Sequence, residues 1–253
     1  MVSIITPTYN CERYIVETIK SVLAQTYKDW QIIIVDDQST DNTLQVLMPY
    51  LKDKRIHVLQ NIEHKGAGES RNVALRAAKG RWIAFLDSDD VWEPTKLERQ
   101  VAFMEETGYH FSCHNYVEMD ERGNETGVMV SCKKHVGKWD MHACCWPGCL
   151  TVMYDANAVG LVQIKNIKVN NDTAMWLKVI EKADCYLLDE TLAKYRRRRD
   201  SITHHGKVKR AIGHYYLFRN AQGMNPIAAL FWMCVNVVMN GYKKVRYVKR
   251  YIP

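Results

Sequence analysis

The sequence lacks several features that would assign it to a specialised class of protein. A membrane-spanning helix needs about 20 apolar residues, whereas the longest apolar run, Ile227–Met239, has 13 and is interrupted by Asn236. The eight cysteines contain no Cys-x-x-Cys pair, so neither a zinc ribbon nor a disulfide framework is indicated. The N-terminus has no basic segment followed by a long apolar one, so no signal peptide is predicted. Together these absences predict a cytoplasmic protein.

Acidic residues are scarce in the C-terminal part of the chain. From Lys194 onward there are 14 Lys and Arg residues and a single acid, Asp200, whereas residues 1–193 carry 21 Lys and Arg against 27 acids. The formal net charge of +7 is therefore −6 for the body plus +13 for the tail. A basic tail on a mildly acidic body points to an anionic partner, such as a membrane surface or a nucleic acid.

The sequence does contain a regular alternation of apolar strands and helical patterns. Strands are predicted at 2–6, 30–35, 56–59, 82–86, 109–113 and 186–193, and helices at 11–25, 70–79, 95–107 and 170–181, with a shorter helix ending near Leu47. With 253 residues and a hydrophobic fraction of 47%, this order predicts one large α/β domain with a mostly parallel sheet and helices on both faces. Ligands of such sheets bind beyond the carboxyl ends of the strands.

Three acids follow the fourth predicted strand in residues 85–90. Like charges this close repel each other unless a cation or hydrogen-bond donors compensate them. A hard divalent cation, held by Asp87 and Asp89 and by phosphate oxygens, fits this arrangement. The alternative is that Ser88 or Asp90 simply caps a turn.

Two further motifs follow other strands. Asp37, after the second strand, can accept a hydrogen bond from a base or a ribose hydroxyl, although capping of the next helix is the alternative. The glycine-rich stretch 66–72 opens a helix whose N-terminus favours anions, and it carries the planar cation of Arg71. It is not a dinucleotide fingerprint, because it follows the third strand and lacks a third glycine. Together the motifs predict a nucleoside diphosphate site.

With these motifs the chain resembles the family 2 glycosyltransferases of the GT-A fold that build bacterial cell-surface polysaccharides. Four segments carry the resemblance: Ser3–Asn10, Val35–Asp41, Gly66–Asn72 and Phe85–Asp90. A weaker match continues to about Thr203. The resemblance implies a catalytic domain at 1–203, with a nucleotide-sugar-binding half at 1–115 and an acceptor-binding half at 116–203, followed by a basic helical segment at 204–253.

The resemblance also implies roles for single residues. Asp87 and Asp89 would bind Mn²⁺ or Mg²⁺ as cofactor, with Asp89 as the direct ligand, and Tyr9 would stack on the uracil of a UDP-sugar. The residues implied to contact the nucleotide-sugar are Thr8, Tyr9, Asp37, Arg71, Asp87 and Ser88.

The catalytic base of the family lies in an acidic pair, usually Glu-Asp, with a Trp four residues after the Asp. Asp172 and Trp176 match this pattern, whereas Asn171 replaces the usual Glu. By this resemblance Asp172 would deprotonate an acceptor hydroxyl, which would attack the anomeric carbon in a single inverting displacement. The alternative is an ordinary Asp near a helix N-terminus.

Two other groups of residues are implied by the resemblance. The acceptor side would include Trp146, Gly148, Cys149 and Trp176. The diphosphate would be contacted by Arg196, Arg198 or His204, of which the two arginines lie in a segment similar to the one that closes the family's catalytic domain. A metal site formed by the cluster His142, Cys144, Cys145 and Cys149 is the alternative for the first group, although its spacing is not a standard zinc pattern.

The C-terminal segment joins an apolar part, Pro226–Met239, to a basic part, Lys243–Arg250. This pattern predicts an interfacial helix on the anionic inner face of the membrane. The alternative is a helix packed on the domain or on a second subunit, which leaves a homodimer open. No nucleic-acid partner is expected, because no RNA-binding motif is present.

The sequence therefore predicts an inverting, metal-dependent transferase that moves a sugar from a UDP-sugar to a glycan or lipid-linked glycan acceptor. One alternative is a nucleotidyl- or phosphoryltransferase of similar fold, which leaves the pairing of Asp172 with Trp176 unexplained. Another is a non-catalytic module that binds membrane or RNA.

Overall fold

The computed structural model describes residues 1–165, 167, 170–198 and 207–252. The strands are β1 (Val2–Thr8), β2 (Trp30–Asp36), β3 (Ile56–Gln60), β4 (Trp82–Phe85), β5 (Val91–Trp92), β6 (Phe111–Met119), β7 (Glu125–Val130), β8 (His135–Val136), β9 (Met153–Asp155), β10 (Cys185–Arg196) and β11 (Val248–Arg250). The helices are α1 (Ile15–Leu23), α2 (Thr43–Leu47), α3 (Ala67–Ala77), α4 (Lys96–Thr107), α5 (Lys138–Ala143), α6 (Ala156–Val159), α7 (Asn171–Val179), α8 (Lys207–Tyr216) and α9 (Pro226–Arg246).

All the described strands belong to one mixed sheet. Its main path runs β11-β7-β6-β9-β4-β1-β2-β3, and β10 lies beside β6 with the short strands β5 and β8 paired to it. Strands β1 to β4 are parallel, whereas β9 is antiparallel to both β4 and β6. The predicted α/β fold is confirmed, but the parallel arrangement dominates only the first half of the sheet.

The first two strands are buried along their whole length, because helices cover both faces of the sheet. Successive side chains point to opposite faces. Ile5 and Ile33 accordingly lie in one core with residues of α3 and α7, while Ile4 and Ile32 lie in the other with residues of α1 and α4. This double core fixes the carboxyl ends of β1, β2 and β4 at one edge of the sheet.

The glycine-rich helix begins earlier than the sequence suggested. Helix α3 starts at Ala67 rather than Ser70, directly after Gly66, which has a φ of +85°. A positive φ favours glycine, because a Cβ would be strained there. The first turn of α3 is therefore brought up to the ends of the neighbouring strands.

The C-terminal segment is more closely integrated than a helical extension would be. Helix α9 packs on the core, and the chain then forms β11, in which Val248 pairs with Val130 of β7. The predicted helical C-terminal segment is present as α8 and α9. Its end also forms β11, which completes an edge of the sheet and which the sequence did not indicate. Within the described ranges, no helix is both long and apolar enough to cross a bilayer.

Candidate active site

Asp37 organises the loop that leads into α3. Its Oδ1 accepts hydrogen bonds from the Asn61 side-chain amide at 2.6 Å and from the Lys65 N–H at 2.9 Å. Its Oδ2 accepts from the Gly66 N–H at 2.7 Å and lies 3.0 Å from His64 Nδ1. The carboxylate is buried. Asp37, which the sequence predicts to face a nucleoside, therefore also fixes the conformation of the loop beside that position.

An aromatic pair lies next to this carboxylate. The rings of Tyr9 and His64 have centroids 4.5 Å apart and a tilt of 47°. Tyr9 is 45% exposed, so it can offer surface for a base to stack on. Thr8 is buried, and its hydroxyl has no hydrogen-bond partner among the described residues, which suits a polar ligand atom. Sequence reasoning missed His64; its position just before the glycine-rich stretch was the available signal.

Arg71 connects the acidic end of β4 to the start of α7. Its Nη2 donates to Asp87 Oδ1 and its Nη1 donates to Asn171 Oδ1, each at 2.5 Å. Burial by itself lowers the pKa of Arg71, but the negative charges nearby, Asp87 foremost and also Asp172, raise this pKa above its usual value. The guanidinium therefore stays charged although it is buried.

The start of α7 lies against the start of α3. Asn170 has a φ of 58° at the N-cap, and the half-buried Asp172 accepts a hydrogen bond from the Thr173 N–H at 2.7 Å. A Cβ added at Gly68 would come within 3.3 Å of the Cβ of Asn171. The second glycine of the 66–72 stretch thus allows the two helix starts to approach each other closely. The predicted base is thereby brought beside the Arg71–Asp87 pair.

Residues 87–90, which we call the acidic turn, are held in place by hydrogen bonds from α1 and from the segment just before it. The Thr18 hydroxyl lies 3.0 Å from the carbonyl oxygen of Ser88 and 2.8 Å from that of Asp90, and the Cys11 thiol lies 3.2 Å from the Ser88 oxygen. These contacts to backbone oxygens hold the turn in place, and the Ser88 side chain takes no part in them. A contact between its hydroxyl and the nucleotide-sugar stays a prediction.

The three acids of the turn have different environments. Asp87 and Asp89 have side chains that are 30% and 18% exposed, whereas Asp90 is buried. Burial raises the pKa of Asp89, and Arg198, whose Nε lies 2.9 Å from Asp89 Oδ2, opposes that rise. Burial, followed by the charge of Asp89, raises the pKa of Asp90 well above its usual value. Asp87 and Asp89 therefore form the accessible pair.

Arg196 and Arg198 lie in different surroundings. The guanidinium of Arg196 is buried, donates from Nε to the Asp89 carbonyl at 2.9 Å, and pairs with Glu17 at 2.5 Å. Its Nη1 lies 3.3 Å from the carbonyl oxygens at 120 and 121. These groups engage its donors, so Arg196 supports the acidic turn, and its contact with a diphosphate stays a prediction. Arg198 does reach the carboxylate of Asp89, and His204 lies outside the described residues.

The donor set at this turn suits a hard cation. No group of three or more His, Cys, Asp or Glu residues that could hold a metal occurs within the described part of the chain. The alternative cluster around His142 is therefore not formed there. A Mg²⁺-type ion needs only one or two carboxylates when phosphate oxygens complete its shell. The carboxylates of Asp87 and Asp89 fit that requirement.

The loop before β9 supplies two of the predicted acceptor-side residues. Burial, followed by the charge of Asp87, raises the pKa of the Cys149 thiol well above its usual value, and Asp172 adds to this rise. Cys149 thus lies among the acids of the site. A Cβ at Gly148 would come within 2.8 Å of Cε1 of Tyr116, so any larger residue here forces the loop or the ring to shift.

The two tryptophans assigned to the acceptor side are buried. Trp146 donates from Nε1 to the Asp140 carbonyl at 3.0 Å, and Trp176 packs edge-on against Phe85 with centroids 4.9 Å apart. Both side chains pack in the core, Trp146 under the loop before β9 and Trp176 as part of α7. Contact of either side chain with an acceptor stays a prediction.

Comparison with known proteins agrees with this geometry. The family model "Glycosyl transferase family 2" matches residues 3–132. TuaG of Bacillus subtilis (strain 168), named for teichuronic acid biosynthesis, is 39% identical over 246 residues, which cover 96% of this chain and 97% of TuaG. WfaP of Escherichia coli, a UDP-Glc:alpha-D-GlcNAc-diphosphoundecaprenol beta-1,3-glucosyltransferase, is 42% identical over 182 residues, or 72% of this chain and 71% of WfaP.

Solved structures share the fold. TarS 1–349 of S. aureus, in complex with UDP-GlcNAc, matches with a TM-score of 0.70 at 24% identity, covering 90% of this chain and 69% of that one. The mannosyltransferase PcManGT from Pyrobaculum calidifontis, in complex with GDP-Man and Mn²⁺, matches with a TM-score of 0.69 at 17% identity, covering 96% of this chain and 71% of that one. The sequence match and the shared GT-A-like fold together show that the chain belongs to glycosyl transferase family 2.

Proposed function

We propose that this glycosyltransferase moves a sugar from a UDP-sugar to a hydroxyl of a lipid-linked glycan, with inversion, during synthesis of a cell-surface polysaccharide. The observation that carries the proposal is the placement of Asp172 beside the Arg71–Asp87 pair. A candidate base is thus next to a candidate diphosphate site. The names of TuaG and WfaP support the polymer class and the lipid-linked acceptor.

The donor end of the site has a residue for each part of a nucleoside diphosphate. Tyr9 offers its ring to the base, and Thr8 offers a hydroxyl that has no partner among the described residues. Asp37 holds the loop before α3 through the N–H of Gly66. Asp87 and Asp89 would hold Mn²⁺ or Mg²⁺, which when bound supplies positive charge to the departing diphosphate. Arg198 lies at the carboxylate of Asp89 and can add to that charge.

The acceptor end depends on proton removal. An acceptor hydroxyl within hydrogen-bond reach of Asp172 gives its proton to that carboxylate as the oxygen attacks the anomeric carbon. The bond to the diphosphate oxygen breaks on the opposite side, so the configuration inverts in one step. Arg71 holds the preceding residue, Asn171, and so limits the motion of the base.

The test is release of UDP from a panel of UDP-sugars, with a lipid-diphosphate-linked sugar as acceptor, in Mn²⁺, Mg²⁺ or EDTA. Asp172→Asn is expected to lose acceptor-dependent turnover by at least about 100-fold while it still binds UDP. Asp29→Asn is the control, because this exposed carboxylate lies before β2. Full turnover by Asp172→Asn would refute the assignment of the base.

Product analysis separates the other functions. A nucleotidyl- or phosphoryltransferase would leave nucleotide or phosphate on the acceptor, whereas the proposed reaction leaves only the sugar. Absence of turnover with every UDP-sugar would overturn the choice of UDP, and GDP-sugars are the next donors to test. Membrane association and a homodimer are separate proposals, of which the first is developed below.

A further inference from the structure

Helix α9 has two different faces. One face is packed on the body: Ala229 and Asn236 are buried, and the Asn236 side-chain amide donates to the carbonyl oxygen of His142 at 2.5 Å. On the same side, Lys243 Nζ donates to the carbonyl oxygens of Cys145 and Trp146 at 2.8 and 2.7 Å. The helix is therefore held in one rotational position.

The opposite face of α9 is apolar and exposed. Its exposed residues recur at intervals of three and four: Ile227, Leu230, Phe231, Cys234, Val237, Val238, Tyr242 and Val245. With 3.6 residues per turn, these positions form one continuous stripe along the helix. We call this set of residues the α9 stripe. Ile227 and Val245, at its two ends, are 82% and 87% exposed.

Positive charge borders the C-terminal end of the α9 stripe. At about 100° per residue, Lys244 and Arg246 fall on either side of it near its C-terminal end. Lys249 and Arg250 follow in β11, and both are exposed. Residues 207–253 contain nine Lys and Arg residues and no Asp or Glu. An apolar stripe bordered by cations is the pattern of a helix that lies in the plane of an anionic membrane surface.

We propose that the α9 stripe is the docking surface of this enzyme for a bilayer containing anionic lipid. The helix lies parallel to the membrane, inserts its apolar side chains at the headgroup boundary, and places its flanking cations among the lipid phosphates. A second copy of the chain fits less well, because residues 207–253 of that copy bring the same positive charge and no acid to pair with it. Membrane binding itself does not depend on the proposed function; only its role in acceptor recognition rests on that function.

Helix α9 is bonded to the loop that carries the predicted acceptor-side residues. Through Lys243 the helix is bonded to the backbone of Cys145 and Trp146, in the loop that continues to Gly148 and Cys149. Docking of α9 therefore fixes the acceptor-side loop relative to the lipid surface. An acceptor sugar carried on a lipid diphosphate is presented at that same surface.

The test is co-sedimentation of the full chain, without nucleotide, with vesicles of phosphatidylcholine alone or with phosphatidylglycerol. The wild type is expected to bind the anionic vesicles, and the double variant Leu230→Glu/Phe231→Glu is expected to lose at least about tenfold in partitioning. The matched control is Met48→Glu/Leu51→Glu, which changes two exposed apolar residues on another element. UDP binding measured by calorimetry should be equal in all three proteins.

A cysteine within the α9 stripe allows a second, independent test of membrane contact. The Cys234 thiol is exposed, so a water-soluble maleimide should alkylate it rapidly in solution and at least about fivefold more slowly on anionic vesicles, because the bilayer would cover it. Peptide mass spectrometry identifies the alkylated cysteine.

Equal vesicle binding by the wild type and the Leu230→Glu/Phe231→Glu variant would overturn the proposal. So would a dimer in light scattering that the Glu variant dissociates, without vesicle binding. Failure of UDP-sugar turnover would bear on the proposed function alone.

Discussion

The guanidinium of Arg71 donates a hydrogen bond to the side-chain oxygen of Asn171, the residue directly before the proposed base. The resemblance implied a Glu at this position, and its replacement left the role of the acidic pair open. The structure shows that a neutral amide oxygen still bonds to Arg71. Asp87 carries the negative charge that balances the guanidinium.

This bond predicts that Asn171 positions the base without taking part in chemistry. In Asn171→Ala the start of α7 loses its connection to Arg71, so kcat should fall by about tenfold, with a smaller change in the KM for the UDP-sugar. Asn171→Glu offers an oxygen at the same place and should recover most of the loss. Steady-state kinetics of the three proteins make the comparison.

A suitable control for this pair is Asn157→Ala, an exposed asparagine on α6. Unchanged kcat in Asn171→Ala would show that α7 holds Asp172 without Arg71. A loss in which kcat and thermal stability fall together, without rescue by Glu, would indicate a purely structural role.

A second prediction concerns stability at Arg196. Its buried guanidinium bonds to the turn that carries Asp89 and pairs with the half-exposed Glu17. Arg196→Ala leaves the carbonyl oxygen of Asp89 without this donor and should lower the free energy of unfolding by about 1–3 kcal/mol. Urea denaturation measures the change. The neighbouring Arg197, 52% exposed and paired with Glu118, is the control, and its replacement by Ala should cost less than about 1 kcal/mol. Equal effects would contradict the supporting role given to Arg196.

The positions of Asp37 and Asp87 were readable from the sequence because both depend on local pattern. Each follows a short apolar run, and parallel strands bring their carboxyl ends to one edge of the sheet. The helical period likewise indicated α1, α3 and α4. Family resemblance then gave Asp172 its role, which no local pattern could supply.

The remaining features depend on contacts between distant parts of the chain. Strand β9 is inserted antiparallel between β4 and β6, and its three residues carry no signal for that partner choice. Arg196 belongs to a run of four arginines, and nothing in that run distinguishes it from its neighbours, yet its surroundings bury it. The contact of His64 with Asp37 depends on how the loop before α3 folds back. Local propensity cannot specify such pairings.

A third prediction follows from the space at Gly148. Alanine there would place a Cβ 2.8 Å from Cε1 of Tyr116, so either the loop or the ring must shift, at a cost of about 1–3 kcal/mol. Thermal denaturation monitored by circular dichroism checks this. Gly241, within α9, has no atom within 4 Å of an added Cβ, and Gly241→Ala should stabilise the protein by up to about 1 kcal/mol. If both variants were as stable as the wild type, the contact with Tyr116 would not constrain the loop.

A fourth prediction concerns pH and the buried Lys96 of α4. Its Nζ lies 3.7 Å from the centre of the Trp92 ring and has no hydrogen-bond partner among the described residues. Burial lowers the pKa of this ammonium well below its usual 10.5. The unfolded chain therefore binds the proton more tightly than the folded one. Stability from this group rises with pH between the lowered pKa and the usual one, by at most about 1.4 kcal/mol per pH unit.

Replacing this lysine by methionine removes the cost of burying the amine. Lys96→Met should be more stable than the wild type at pH 7, by on the order of 1–4 kcal/mol, and the difference should shrink as the pH rises to about 9.5. Urea unfolding at both pH values measures it, with Lys20→Met, an exposed lysine on α1, as control. A difference that stays constant with pH would show that Lys96 has the same protonation in both states, because only a change in bound protons makes stability depend on pH.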